Sequence, residues 1–220
     1  NRGELIVPQG ITYTFSGSYK NQMRAEARLS FIVPIVLLII FLILYFQFKS
    51  VSTSLMVFAG IIVAFSGGFL MLWLYGQPWY MDIHLLGIDF REVFNIKSIN
   101  LSVAIWVGFI ALFGIATDDG VIMASYLRDS FKTHEPTSSQ EITDAVIAGG
   151  MKRIRPCLMT TATTLLALVP VLTSTGRGAD IMIPMAIPIF GGMVIAIITV
   201  FVVPVLYGLR AYYQLNKKSK

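Results

Sequence analysis

Five stretches of the chain run for about the thickness of a bilayer without one charged residue. They are Leu29–Phe48, Ser50–Met81, Ser98–Thr117, Pro156–Gly176 and Ile181–Leu209. A helix that crosses the hydrocarbon core needs about 20 mostly apolar residues, because its backbone polar groups must all be satisfied within the segment. The runs therefore predict five transmembrane helices, over about 29–48, 53–75, 100–127, 156–175 and 183–209. Composition excludes the soluble alternative. Charged residues make up 13% of the chain and hydrophobic ones 55%, against about 25% charged in soluble domains. The first run starts too late and is too long for the apolar core of a signal peptide, so none is expected. A single cysteine, Cys157, excludes an internal disulfide.

The net charge of +5 is not a nucleic-acid signature, since the basic residues gather at the ends of the apolar runs. One set of connections holds Lys49, Arg128, Lys132, Lys152, Arg153, Arg155, Arg210, Lys217, Lys218 and Lys220; the other holds Arg91, Lys97 and Arg177. Ten against three predicts a cytoplasmic C-terminus and an external N-terminus. Arg2, Lys20, Arg24 and Arg28 count for little, because a long external domain translocates largely regardless of charge.

Outside the spans, Ile11, Tyr13 and Phe15 alternate with Thr12, Thr14 and Ser16, the pattern of a half-exposed strand. One strand is not stable alone, so residues 1–28 read as the end of an external domain followed by a polar lead-in to the first helix. Gly60, Ala64 and Gly68 form a small-residue stripe on the second span, as do Gly108, Ala111 and Gly114 on the third; such stripes admit close helix approach. Ser138 with Glu141 is a capping-box pattern. The apolar Ile142, Ala145 and Val146 behind it predict a short amphipathic helix over about 138–151 on the cytoplasmic surface. Residues 214–220 read as a basic tail.

Asp118 and Asp119 interrupt the third span. Acids at such depth are costly and mark ion paths or proton relays. Successive helix residues point about 100° apart, so the two cannot face one partner. Asp118 is the better candidate for the proton acceptor. Asp118 lies roughly 27 Å along the helix from Asn100, so a wetted structural position near the cytoplasmic edge is the competing reading. The fourth span is rich in hydroxyls; Thr160, Thr163 and Thr164 are candidates for a polar path beside the acids. Asp82, His84, Asp89 and Glu92 in the external loop are too loosely patterned for a metal site.

The stretches "VPQGITYTFSGSYKNQMRAEARLSFIVPIVLLIIFLILYFQF", "NLSVAIWVGFIALFGIATDDGVIMASYL", "GGMKRIRPCLMTTATTLLALVPVL" and "GADIMIPMAIPIFGGM" resemble the heavy-metal efflux branch of the resistance–nodulation–division (RND) transporters, the CusA- and CzcA-like pumps. The resemblance runs from Val7 to about Tyr213. It implies an all-α integral membrane bundle, whose five spans correspond to the last five of twelve, with the short N-terminal β-strand closing a periplasmic porter domain. It further implies a chain four to five times longer, a homotrimer in the bacterial inner membrane driven by proton influx, and partners in a periplasmic adaptor and an outer-membrane channel. No cofactor is implied; the metal ion is the cargo.

Residue by residue, Asp118 in "ATDDGV" matches the acid of the copper/silver subgroup, while Asp119 has no counterpart. Met182 in "GADIM" matches a methionine of the same subgroup, and thioethers suit Cu(I) or Ag(I) better than Zn(II). Cys157 stands where that pattern has a lysine paired with the acid. A thiol does not neutralise a carboxylate, although it is a soft ligand. Met123, one turn after Asp119, is a further candidate ligand, with core packing as its ordinary role. The expectation is a proton/metal antiporter segment, not an enzyme. Divalent-metal export, drug or lipid export by the same superfamily and a structural module are the alternatives. An intramembrane aspartyl protease needs two acids on separate helices, and both lie on one.

Overall fold

The computed structural model describes residues 18–82, 84–85, 88–96, 101–134 and 138–218. Its elements in chain order are α1 (Ser18–Phe48), α2 (Val51–Tyr75), β1 (His84–Leu85), β2 (Ile88–Asp89), α3 (Phe90–Val93), α4 (Val103–His134), α5 (Ser139–Leu172) and α6 (Ala179–Lys218). α1, α2, α4, α5 and α6 are long and apolar enough to cross a membrane. Each takes up most of one of the uncharged runs, so a multi-pass α-helical membrane bundle stands. The alternating segment over residues 11–16 lies outside the described residues.

α6 is the hub, packed along α2, α4 and α5, while α1 leans on α2 and α4 only lightly. Lipid offers no hydrophobic drive for helices to associate, so close packing must hold them. Glycines supply the closeness. A Cβ on Gly191 would lie 2.2 Å from Met71 Cβ and 2.7 Å from the Gly67 carbonyl oxygen; one on Gly192 would lie 2.2 Å from Leu112 Cδ2. Between α2 and α4 the fit is aromatic: Phe65 and Phe69 stand 4.8 and 4.7 Å, centroid to centroid, from Phe109.

The buried side chains form three layers along the bundle. One holds Met71, Tyr75, Leu172, Ile183 and Ile187 near the loop that joins α2 to α4. The middle one holds Ile61, Ala64, Phe109, Leu112 and Met193. The third holds Leu44, Phe48, Val57, Met123, Leu127, Cys157 and Val203 at the other end.

The structure differs from the sequence reading on α5. The surface helix expected at 138–151 and the span expected at 156–175 are one helix, Ser139–Leu172, with Pro156 and Pro170 inside it. Proline removes one backbone donor and crowds the preceding turn, yet packed membrane helices tolerate it because neighbouring groups make up the loss. The expected capping box is present: Ser138 accepts from the Glu141 N–H, and Glu141 accepts from the Ser138 N–H. The apolar side of this segment packs on the ends of α4 and α6, where Ser130 Oγ donates to the Ala145 carbonyl at 2.7 Å and Gly149 abuts Leu127 and Ser130. The basic tail likewise continues α6 as helix to Lys218.

At the opposite end, Asp89 caps α3 by accepting from the Arg91 N–H at 2.9 Å, and the Arg91 guanidinium donates to the Gln77 and Pro78 carbonyls. Asn95 donates to the Ser174 carbonyl, tying this loop to the α5–α6 turn. Burial pushes the Tyr80 phenol above its usual range, and its hydroxyl reaches Met71 Sδ at 3.6 Å.

Candidate functional site

α4 carries both acids between the middle and third core layers. Asp119 points into the bundle, where Arg153 of α5 meets it: Nη2 lies 3.0 Å from Oδ1, with side chains only 12% (Arg153) and 16% (Asp119) exposed. Asp118, about 100° round the helix, is exposed. It shares its face with Gly114, Ala111 and Val107, all exposed, and a Cβ on Gly114 would meet nothing within 4 Å. One acid therefore belongs to this bundle, and the other looks out of it.

Around the ion pair, the Cys157 thiol is a near neighbour of the Asp119 carboxylate and of the Thr161 hydroxyl. Cys157 and Thr161 are 3% and 2% exposed. Arg153, Cys157 and Thr161 recur every four residues, so α5 turns one polar stripe toward α4. The Nε of Arg153 is buried without a hydrogen-bond partner, so its charge depends on Asp119. A partly buried pair of this kind can change state only by moving a proton or by separating. Either event leaves an uncompensated charge that the surroundings must accommodate.

The other expected site residues fall into separate places. The Thr160, Thr163 and Thr164 hydroxyls donate to carbonyls of their own helix, at Cys157, Met159 and Thr160. Thr160 and Thr163 lie exposed and Thr164 half-buried. Met123 is 2% exposed and packed in the same core layer as Cys157. Met182 is 41% exposed at the start of α6, near Gly178 and at the far end of the bundle from the ion pair. The structure thus brings Asp119, Cys157 and Met123 to one region and leaves Met182 and Asp118 apart from it. Among the described residues, no three His, Cys, Asp or Glu side chains gather as a metal site.

Sequence reasoning missed Arg153 as a site residue and left Thr161 as one more hydroxyl of the fourth span. Arg153 reads as one of several basic residues at a helix end. Its signal is its spacing: four residues before Cys157, it occupies the same face one turn earlier. The cation absent at position 157 is present at 153, and its partner is Asp119, not Asp118.

A model of the AcrB/AcrD/AcrF family matches residues 2–88 and 93–211. Among curated relatives, the cation efflux system protein CusA of Escherichia coli (strain K12) is 34% identical over 207 residues, covering 91% of this chain and 18% of that protein. The cobalt-zinc-cadmium resistance protein CzcA of Cupriavidus metallidurans is 32% identical over 209 residues, covering 94% and 17%. The crystal structure of a heavy metal efflux pump superposes with a TM-score of 0.66 at 30% identity, covering 91% of this chain and 18% of that one. The chain spans less than a fifth of the length of the relatives it matches.

Proposed function

The chain belongs to the AcrB/AcrD/AcrF family, within its heavy-metal RND branch, and on that premise we propose that it forms the C-terminal membrane portion of a proton-driven efflux pump that exports Cu(I) or Ag(I). The observation that carries the reading is the Asp119–Arg153 pair inside the membrane-spanning bundle. Intramembrane ionisable groups that face a bundle interior mark ion and proton paths. Protonation of Asp119 would leave the Arg153 guanidinium without its counter-charge, so α4 and α5 would re-pack. Asp118, on the free face of α4, would meet groups of the remaining helices. Thr161 and Cys157 would orient the Asp119 carboxyl, and Thr160, Thr163 and Thr164 would border the polar route.

The monovalent-metal reading rests on Met182 and Asp118 at positions that match the copper/silver pattern. An exposed thioether at the external end of α6 is a soft ligand suited to handing on Cu(I). Cys157 and Met123 are buried soft donors deeper in the bundle. The second reading, export of Zn(II), Co(II) or Ni(II), is favoured by the near-equal identities to CusA (34%) and CzcA (32%). In either case the pump would be a homotrimer of the inner membrane with its N-terminus periplasmic. It would work with a periplasmic adaptor and an outer-membrane channel.

The test uses the full-length protein carrying this segment in a copper-sensitive strain. Survival is scored in Cu(I) or Ag(I) and in Zn(II) or Co(II), for the parent, Asp119→Asn, Arg153→Met and Asp118→Asn at equal expression. The reading expects protection against the monovalent ions alone, and its loss in the first two variants. Protection against zinc moves the cargo to the divalent class. An Asp119→Asn variant as protective as the parent makes the pair structural and sinks the coupling site.

A further inference from the structure

A second cluster of charge lies at the turn between α1 and α2, away from the acids. Arg210 of α6 lies across this turn, donating through Nη1 to Thr53 Oγ1 at 2.7 Å and through Nη2 to Ser50 Oγ at 3.3 Å. Arg128 of α4 stacks its guanidinium over the ring of Phe48, 5.7 Å from the centroid, and its Nε is buried without a partner. Tyr207 feels both guanidinium charges, so the two arginines share one corner. Lys49, exposed and at a φ of 50°, completes the turn. The Asp129 carboxylate is also near Tyr207. Among the described residues, however, neither Arg128 nor Arg210 forms an ion pair with it or with any other acid.

An apolar groove of about 430 Å³ opens at this corner, lined by Val51, Ser52, Leu55, Met56, Ala59 and Leu206. Leu206 precedes Arg210 by one turn on α6, so the guanidinium stands at the head of the groove. From Ser52 to Ala59 the groove follows α2 for about 10 Å. Next along α2, Gly60 packs against Thr199, whose Cβ would lie 3.7 Å from a Cβ added at Gly60. Cations therefore sit at the end of an apolar span, and an open apolar groove about 10 Å long, room for the first part of an acyl chain, runs from them along the helices.

We propose that this corner is a binding site for an anionic glycerophospholipid. Its phosphate would be held by Arg210, Arg128 and Lys49 at the α1–α2 turn, and one acyl chain would lie in the α2–α6 groove. The combination selects this occupant. A free phosphate has no use for the groove, and a zwitterionic lipid brings an ammonium into a corner where three cations outnumber one carboxylate, Asp129. Basic residues at the membrane surface attract anionic headgroups. Here the guanidiniums of Arg210 and Arg128 are pre-positioned by their contacts with Ser50, Thr53 and Phe48. The inference is independent of the transport reading.

The test is lipid retention by the purified full-length protein in native mass spectrometry, with phosphatidylglycerol and phosphatidylethanolamine of identical acyl chains, and with inorganic phosphate as competitor. The parent should retain phosphatidylglycerol in preference, and phosphate should not displace it. Arg210→Gln should lower retention about fivefold, the effect of one basic residue at a charged surface. Ala59→Phe fills the groove while leaving every cation and the Arg210 hydrogen bonds in place, and should lower it as well. Equal retention of the two lipids overturns the proposal. So does displacement by phosphate, which indicates a free-anion site. Parental retention by Ala59→Phe also overturns it, because the groove is then unused or covered by another helix of the whole protein.

Discussion

Gly191→Ala is expected to loosen the bundle at its tightest crossing. The added Cβ would stand 2.2 Å from Met71 Cβ and 2.7 Å from the Gly67 carbonyl oxygen. Carbon–carbon contacts are comfortable at about 3.5–4.0 Å, so α2 and α6 must separate by more than about 1 Å. Neither obstructing atom can swing aside: one is backbone and the other is fixed to it. Gly192, next along α6, is equally tight against Leu112 and the Ala64 carbonyl, so a shift of α6 disturbs α4 too. Overpacking costs about 1–3 kcal/mol, and this site belongs at the upper end of that range. Alanine recovers about 0.8–1.0 kcal/mol of helix propensity over glycine. The net is a loss of about 2 kcal/mol. Gly150 supplies the control, since its nearest neighbour would be Pro204 Cγ at 4.0 Å. Gly150→Ala should keep only the propensity gain and stabilise by up to about 1 kcal/mol. The assay is denaturant-induced unfolding in mixed micelles, followed by helicity and by the fluorescence of Trp73 and Trp106. A Gly191→Ala protein as stable as the parent, or a Gly150→Ala protein destabilised to the same degree, would refute the idea that backbone contact holds this crossing.

Three further outcomes are expected. Removing one partner of the Asp119–Arg153 pair should destabilise by about 3 kcal/mol, the low end for a buried pair because both groups keep some solvent contact, while the double variant Asp119→Asn/Arg153→Met should cost clearly less than the sum; strict additivity in the cycle would show that the groups do not interact. Ser138→Ala should cost about 1 kcal/mol through loss of the cap and speed amide exchange over residues 139–151, whereas unchanged exchange there would mean that packing on α4 and α6 alone holds the first turns. In a Cys157→Ala background, an impermeant thiol reagent applied from the periplasm should label a cysteine at Gly178 and spare one at Ser139, and the opposite pattern would invert the proposed orientation.

The spans were legible because membrane insertion is decided locally. A run of residues without charge, long enough to cross hydrocarbon, needs no partner to announce itself, and Leu29–Phe48 or Ile181–Leu209 show it directly. The capping box at Ser138 and Glu141 was legible for the same reason, since its donors and acceptors lie within one turn. The continuity of α5 was not. Pro156 and the polar stretch before it read as a break, and only the surfaces offered by α4 and α6 keep residues 139–155 on the same axis as the span.

The candidate site divides along the same line. That an acid pair interrupts a membrane helix is a property of the sequence alone, and so is the cost that makes it a place for chemistry. Which acid is used within this bundle was decided by tertiary structure. Adjacent residues differ by about 100° in direction, and the packing of α5 turned Arg153 toward Asp119 and left Asp118 on the open face. The missing lysine at position 157 looked like a missing charge. In space the charge had moved one turn along the same face, a displacement visible only once two helices are placed side by side. The glycine contacts of α6 and the arginine-headed groove follow the same rule. Residue type and spacing say which atoms a helix can offer, but opposing helices, brought within a few ångströms by packing, determine which of them meet.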